Sequence, residues 1–233
     1  MKRLLLIGIG CLVPMIAMAQ KERVKNQPYA DFKVYHLGFH LGLHTQDLLL
    51  TNTGMVAENG EILFADIPSY SPGFSIGIIS DMFLNPYLNL RFTPTIHFGD
   101  KQVVFVKQNA NETFTTFVRS NYLSLPLGIK YSALRLNNYR PYLLGGIYGA
   151  FDLGRKKDIP LLLKRMDYGF EVGIGCDIYL PLFKLCPELK FSFGLADLLQ
   201  KDRQDLTDKE WIKYTDAISR ATSRMVALTF NFE

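Results

Sequence analysis

The chain has 233 residues, of which 48% are hydrophobic and 21% charged, and its formal net charge is +4. Lys2 and Arg3 supply two of those charges, so the remainder is close to neutral with no long basic run, which argues against a nucleic-acid partner. After residue 19 no segment approaches the ~20 apolar residues of a membrane helix, so a spanning protein would have to cross on strands.

Residues 1–19 order Lys2 and Arg3, an apolar run from Leu4 to Ile16, and the small residues Ala17-Met18-Ala19, the arrangement of a secretory signal peptide. Cleavage is expected after Ala19. Gly8-Ile9-Gly10-Cys11 is a weaker candidate for lipidation, because little apolar sequence separates Arg3 from Gly8. Residues 20–33 then form an N-terminal periplasmic segment, and residues 34–233 one domain.

From Tyr35 onward short segments alternate apolar residues with Gly, Ser or charged ones. In one of them Leu185, Pro187, Leu189, Phe191 and Phe193 alternate with Cys186, Glu188, Lys190, Ser192 and Gly194. This period of two predicts strands over residues 34–44, 73–83, 88–98, 120–132, 139–152, 166–180, 185–196 and 223–232. Connections alternate between long (45–72, 99–119, 153–165, 197–222) and short (84–87, 133–138, 181–184). The pattern is that of an all-β, eight-stranded antiparallel up-and-down transmembrane β-barrel of the bacterial outer membrane, with long extracellular loops, short periplasmic turns and both termini in the periplasm.

A soluble eight-stranded barrel would turn its apolar face inward around a ligand. Gly38, Gly42, Gly77, Gly128, Gly169, Gly173, Gly175 and Gly194 share the polar face with Arg91, Lys130, Glu171, Glu188 and Lys190. On a soluble exterior these glycines would weaken the sheet, whereas inside a narrow barrel they make room for long side chains. The polar face is therefore placed inside and the apolar face against lipid. Residues 139–152 are apolar or small on both faces and cannot be phased. Tyr87, Tyr139, Tyr142, Phe183 and Phe232 fall near the periplasmic ends and are expected in an aromatic girdle.

Two loops carry elements of their own. Val103–Val106 and residues 114–118 flank Asn109-Ala110-Asn111-Glu112, a hairpin prolonging the third and fourth strands. Thr207-Asp208-Lys209-Glu210 is a capping-box pattern, and Trp211, Tyr214 and Ile218 follow at helical spacing, predicting a short amphipathic helix that covers the mouth or contacts a partner.

Candidate chemistry is sparse. His36, His40 and His44 lie on a strand about 13 Å apart in succession, too far to share one metal ion. Arg91, Lys130, Glu171, Glu188 and Lys190 could form a proton or ion path, but an eight-stranded interior is filled by side chains, so a buried ion-pair plug is the stronger expectation. His44, Asp47 and Ser69, Ser71 or Ser75 sit near the outer rim without any nucleophile motif. Cys176 and Cys186 flank a hairpin, yet strand parity sends them to opposite faces and opposes a disulfide. No catalytic residue, metal, cofactor or small-molecule substrate is expected.

Tyr35-His36-Leu37-Gly38-Phe39, Leu123-Ser124-Leu125-Pro126-Leu127 running into Lys130-Tyr131, Arg140-Pro141-Tyr142 before Gly145-Gly146, Gly173-Ile174-Gly175 and Pro187-Glu188-Leu189 together resemble the PorT family over essentially the whole chain after the signal. Gly128-Ile129 before Lys130-Tyr131, and Glu233 after Phe232, depart from its pattern. The resemblance implies a non-enzymatic outer-membrane component of the type IX secretion system of Bacteroidota, required for export of proteins bearing a C-terminal sorting domain. It implies other secretion-system membrane proteins and outer-membrane lipid as partners, and it transfers no catalytic residues. A lipid-modifying barrel enzyme and a passive adhesin or envelope-stabilising barrel are the alternatives.

Overall fold

A computed structural model describes residues 24–54, 63–66, 71–107, 113–154, 161–202 and 211–233. The signal segment, the Asn109–Glu112 turn and the Thr207–Glu210 capping box lie outside the described residues. In chain order the strands are β1 (Tyr35–Asn52), β2 (Leu63–Asp66), β3 (Pro72–Asn85), β4 (Leu88–Phe92), β5 (Thr95–Phe98), β6 (Asp100–Lys107), β7 (Thr113–Arg119), β8 (Tyr122–Ser132), β9 (Tyr139–Asp152), β10 (Met166–Tyr179), β11 (Lys184–Gly194) and β12 (Ile218–Phe232). A helix of one turn, α1 (Ile212–Asp216), precedes β12.

The alternating segments close into a ring, β1-β12-β11-β10-β9-β8-β4/β5-β3 and back to β1, antiparallel at every joint. β4 and β5 are one stave interrupted at Thr93-Pro94, where proline has no N–H for the ladder. The interruption leaves register intact, since Ser80 faces Phe92 and Gly77 faces Thr95. With these two counted as one, eight staves form the barrel, as the alternation predicts.

Exposure fixes the two faces. Leu37 is 64% exposed and Ile147 68%, whereas His40, Arg91 and Glu188 are 1%, 2% and 1% exposed. Apolar outside and charged inside suits hydrocarbon surroundings, and closing the sheet into a ring leaves no strand edge to face them.

The structure also phases β9, which the sequence leaves open: Arg140, Tyr142, Leu144, Tyr148 and Ala150 point inward, and Tyr139, Leu143, Ile147 and Phe151 outward. This corrects the place of Tyr142, which is 3% exposed inside the barrel and not in the aromatic girdle. Tyr87, Tyr139 and Phe183 do face outward, and Phe232 stacks on Phe39 with ring centroids 5.0 Å apart.

β1 and β12 run well past their predicted ends and rise above the ring together, pairing in one register as far as Thr51 with Arg220 and, after a bulge, Asn52 with Ile218. Beside them β6 and β7 form the expected hairpin, and β2, which the sequence analysis does not foresee, adds to it as β2-β6-β7. All four long connections contribute to one apolar cluster there: Ala65 from the first, Val103 and Phe105 from the second, Leu161 and Leu163 from the third, and Leu198, Leu199, Tyr214 and Ala217 from the fourth. The barrel thus carries a cap with a core of its own.

Candidate functional site

Inward residues of neighbouring staves converge in the half of the lumen nearest the short turns. Arg91 on β4 is the hub: its guanidinium donates to Asp81 at 2.7 and 2.9 Å, to Glu188 at 3.2 Å and to Glu233 at 2.6 Å. Lys130 on β8 places its ammonium 2.8 Å from both oxygens of Asp177. Lys184 reaches Glu233 at 2.5 Å, and Lys190 reaches Glu188 at 3.3 Å. The Tyr142 hydroxyl donates to Glu188 at 2.6 Å, and its ring lies 4.2 Å from the Lys130 ammonium. Each charge has left water for a low-dielectric interior, so each needs the others.

The five interior charges named from sequence are thus all inside the barrel. Arg91, Lys130, Glu188 and Lys190 join the network directly, while Glu171 lines a cavity just above it with Lys190. Asp81, Asp177, Lys184, Glu233 and Tyr142 were missed. For Asp81, Asp177, Lys184 and Glu233 the signal was available, because each shares the strand parity of the inward residues, whereas Tyr142 lies on β9, which the sequence does not phase. Glycine shapes the cluster: a Cβ on Gly175 would lie 2.4 Å from the ring of Tyr142, the ring that bridges Lys130 and Glu188.

The short-turn mouth is covered by the N-terminal segment. A single 3-10 turn at Ala30–Phe32 aims Asp31 up at Arg140 (3.0 Å), Arg135 (3.3 Å) and the Tyr179 hydroxyl. Asn26 donates to the Tyr179 carbonyl and Gln27 to that of Leu180, both at 2.9 Å, so the strap lies across the turn ends of β8, β9 and β10.

Above the ion cluster a cavity of about 60 Å³ remains, lined by His97, Lys101, Tyr148, Asp167, Glu171 and Lys190 among others. That is space for a few water molecules and not for an open pore. His40 bonds Thr95 at 3.2 Å, and His44 bonds Gln46 at 3.1 Å and packs edge-on against His97. Asp47 lies on the opposite face of β1 from His44 and pairs with Arg224, so it does not orient that imidazole. Among the described residues no three His, Cys, Asp or Glu side chains are grouped to hold a metal ion. Cys186 is buried inside, Cys176 is on the other face of the sheet, and both are free thiols.

In the cap, Tyr214 packs against Phe105 (centroids 4.8 Å) and stacks on Phe114 (4.7 Å), and Trp211 leans on the same cluster. Tyr214 is 8% exposed and Ile218 2%, so both side chains are spent on the cap's own core and offer no face to a partner. Ile218 is moreover the first residue of β12 and not part of a helix, because α1 is a single turn. On the rim, slight burial works to raise the carboxyl of Asp197, but backbone N–H bonds from Ala221 and Leu199 outweigh it and hold the group below its ordinary range.

A closed antiparallel ring with an apolar exterior and a charged, filled interior defines an integral outer-membrane β-barrel. The chain belongs to the family described as "Outer membrane protein beta-barrel domain", whose model matches residues 18–200. Similar solved structures include the Neisserial surface protein A (10% identity, 85% of this chain and 98% of that one, TM-score 0.43). Others are the N-terminal β-barrel domain of Pseudomonas aeruginosa OprF (12%, 84% and 97%, TM-score 0.31) and Ail of Yersinia pestis, in complex with the heparin analogue sucrose octasulfate (9%, 84% and 96%, TM-score 0.37). No curated protein sequence matches the chain.

Proposed function

We propose that this barrel is a non-catalytic subunit of the type IX secretion system, similar to PorT, required for export of proteins bearing C-terminal sorting domains. The observation that carries the reading is the filled lumen: an ion cluster, a strap across one mouth and a packed cap over the other leave the barrel nothing to do through its centre. A barrel closed at both ends works through its surfaces, as an assembly subunit does. The resemblance in Tyr35–Phe39, Leu123–Tyr131 and Arg140–Tyr142 supplies the particular system. The strap and the short turns face the periplasm with both termini, and the cap faces outward. Its partners are other secretion-system membrane proteins and outer-membrane lipid, with no nucleic acid and no small-molecule substrate.

The test is deletion of the gene in its host, followed by comparison of secreted and surface proteins with those of the parent. Selective loss of cargo bearing C-terminal sorting domains, with other outer-membrane proteins intact, is expected. Unchanged export discards the secretion role, and altered lipid A in its place would point to an enzyme.

A further inference from the structure

Exposed cations above the barrel, among the described side chains, gather on one side. Among residues whose side chains are described, the exposed Lys and Arg beyond the apolar belt on the cap side are Lys164, Arg165, Lys201, Arg220 and Arg224, all on or just beyond β10, β11 and β12. Directly beneath them the outward face is greasy: Met166 is 62% exposed, Tyr168 59% and Leu195 53%. Leu195 and Tyr168 are tied by a backbone bond of 2.9 Å, and the Arg220 guanidinium donates to the Leu195 carbonyl at 3.2 Å. Positive charge therefore begins one row above the last lipid-facing residues, with a tyrosine at the boundary, which is where headgroups lie.

Carboxylates beside these cations are engaged by other groups. Asp47 pairs with Arg224, and the oxygen Oδ1 of Asp197 is occupied by the N–H groups of Leu199 and Ala221. Lys164 reaches only the backbone carbonyl of Asp197, at 2.9 Å. Arg220 and Lys164 are both exposed, and each gives a hydrogen bond to a carbonyl of the Leu195–Asp197 segment, which leaves further donors of both for a phosphate oxygen.

We propose that this rim, centred on Arg220 and Lys164, binds the phosphate groups of the outer-leaflet glycolipid, whose acyl chains lie along Tyr168, Leu195 and Met166. The inference rests on the orientation given above, with the cap outside. Continuity with the lipid belt selects a lipid phosphate over a free one, since the acyl chains bring their headgroup to this height.

The experiment uses the full-length barrel in detergent, titrated with bisphosphorylated lipid A, fully dephosphorylated lipid A and inorganic phosphate, beside the double variant Lys164→Ala/Arg220→Ala and the control Lys25→Ala on the strap. Wild type and control should bind the bisphosphorylated probe about tenfold or more tighter than the dephosphorylated one, and the double variant should lose that preference. Retained compact gel mobility confirms that the variants fold. Equal binding of both lipids, an unaffected double variant, or inorganic phosphate competing at the affinity of the lipid overturns the site. Labelling of Lys201→Cys by an impermeant maleimide on intact cells reads the orientation separately: no labelling overturns both the site and the orientation, whereas labelling without phosphate preference overturns the site alone.

Discussion

Barrel and cap are built from one chain by opposite rules. In the barrel Leu37, Ile147 and Ile174 face out and Arg91, Lys130 and Glu188 face in; in the cap Phe105, Leu161, Leu198 and Ile218 are the interior. The difference lies in the solvent. Lipid rewards an apolar exterior and tolerates a polar centre whose charges pair with one another, whereas water drives the loops to bury their apolar groups against each other. The two cores are also assembled differently, since the ion cluster is fixed by register within one sheet and the cap needs four separate connections to meet.

The sharpest way to break the comparison is to remove the hub of the barrel. Arg91→Ala strands Asp81, Glu188 and Glu233 without their shared partner and is expected to cost about 3–5 kcal/mol, lowering the temperature at which the compact gel form converts to the unfolded one. Phe105→Ala, in the cap, should cost about 3 kcal/mol locally and leave that temperature in place. Trp211 is the single tryptophan of the chain and leans on the cap core, so its emission should shift to the red in Phe105→Ala and hold in Arg91→Ala until the barrel melts. If both probes move together in either variant, cap and barrel are one cooperative unit and the contrast fails.

Smaller perturbations sharpen the same contrast. Gly175→Ala puts a methyl group into the ring of Tyr142, displaces it from Glu188 and should cost about 1–3 kcal/mol of barrel stability, seen as a lower urea midpoint in bilayers. Asp31→Asn loses two partly exposed ion pairs and should cost at most about 1 kcal/mol, while hydrogen exchange over residues 26–34 accelerates and the cap is untouched. Unchanged exchange there would mean that Asn26 and Gln27 alone hold the strap.

The ring was readable because lipid on one side and charge on the other impose a period of two on every stave. β9 escaped that reading: its inward Leu144, Tyr148 and Ala150 are as apolar as its outward Leu143 and Ile147, and neighbouring staves rather than its own sequence set its phase. The partners of Arg91 were legible in principle, since Asp81 and Glu233 keep inward parity, but they stand near strand ends where predicted boundaries stop. β2 and the inward turn of Tyr214 were not legible, because their burial depends on loops far apart in sequence, and no local pattern encodes that meeting.

The joints between staves are unequal, and that sets where the cylinder parts under load. β1 and β12 pair without interruption from Phe39 to Thr51, so the seam joining the first stave to the last is a long continuous zipper. Across the ring, Pro94 and Pro126 remove donors from facing staves, and β3 and β8 hold their shared neighbour only as the short β4 and β5. Under a load spread evenly around the ring, the barrel should keep the seam closed and split first along the proline-broken stave.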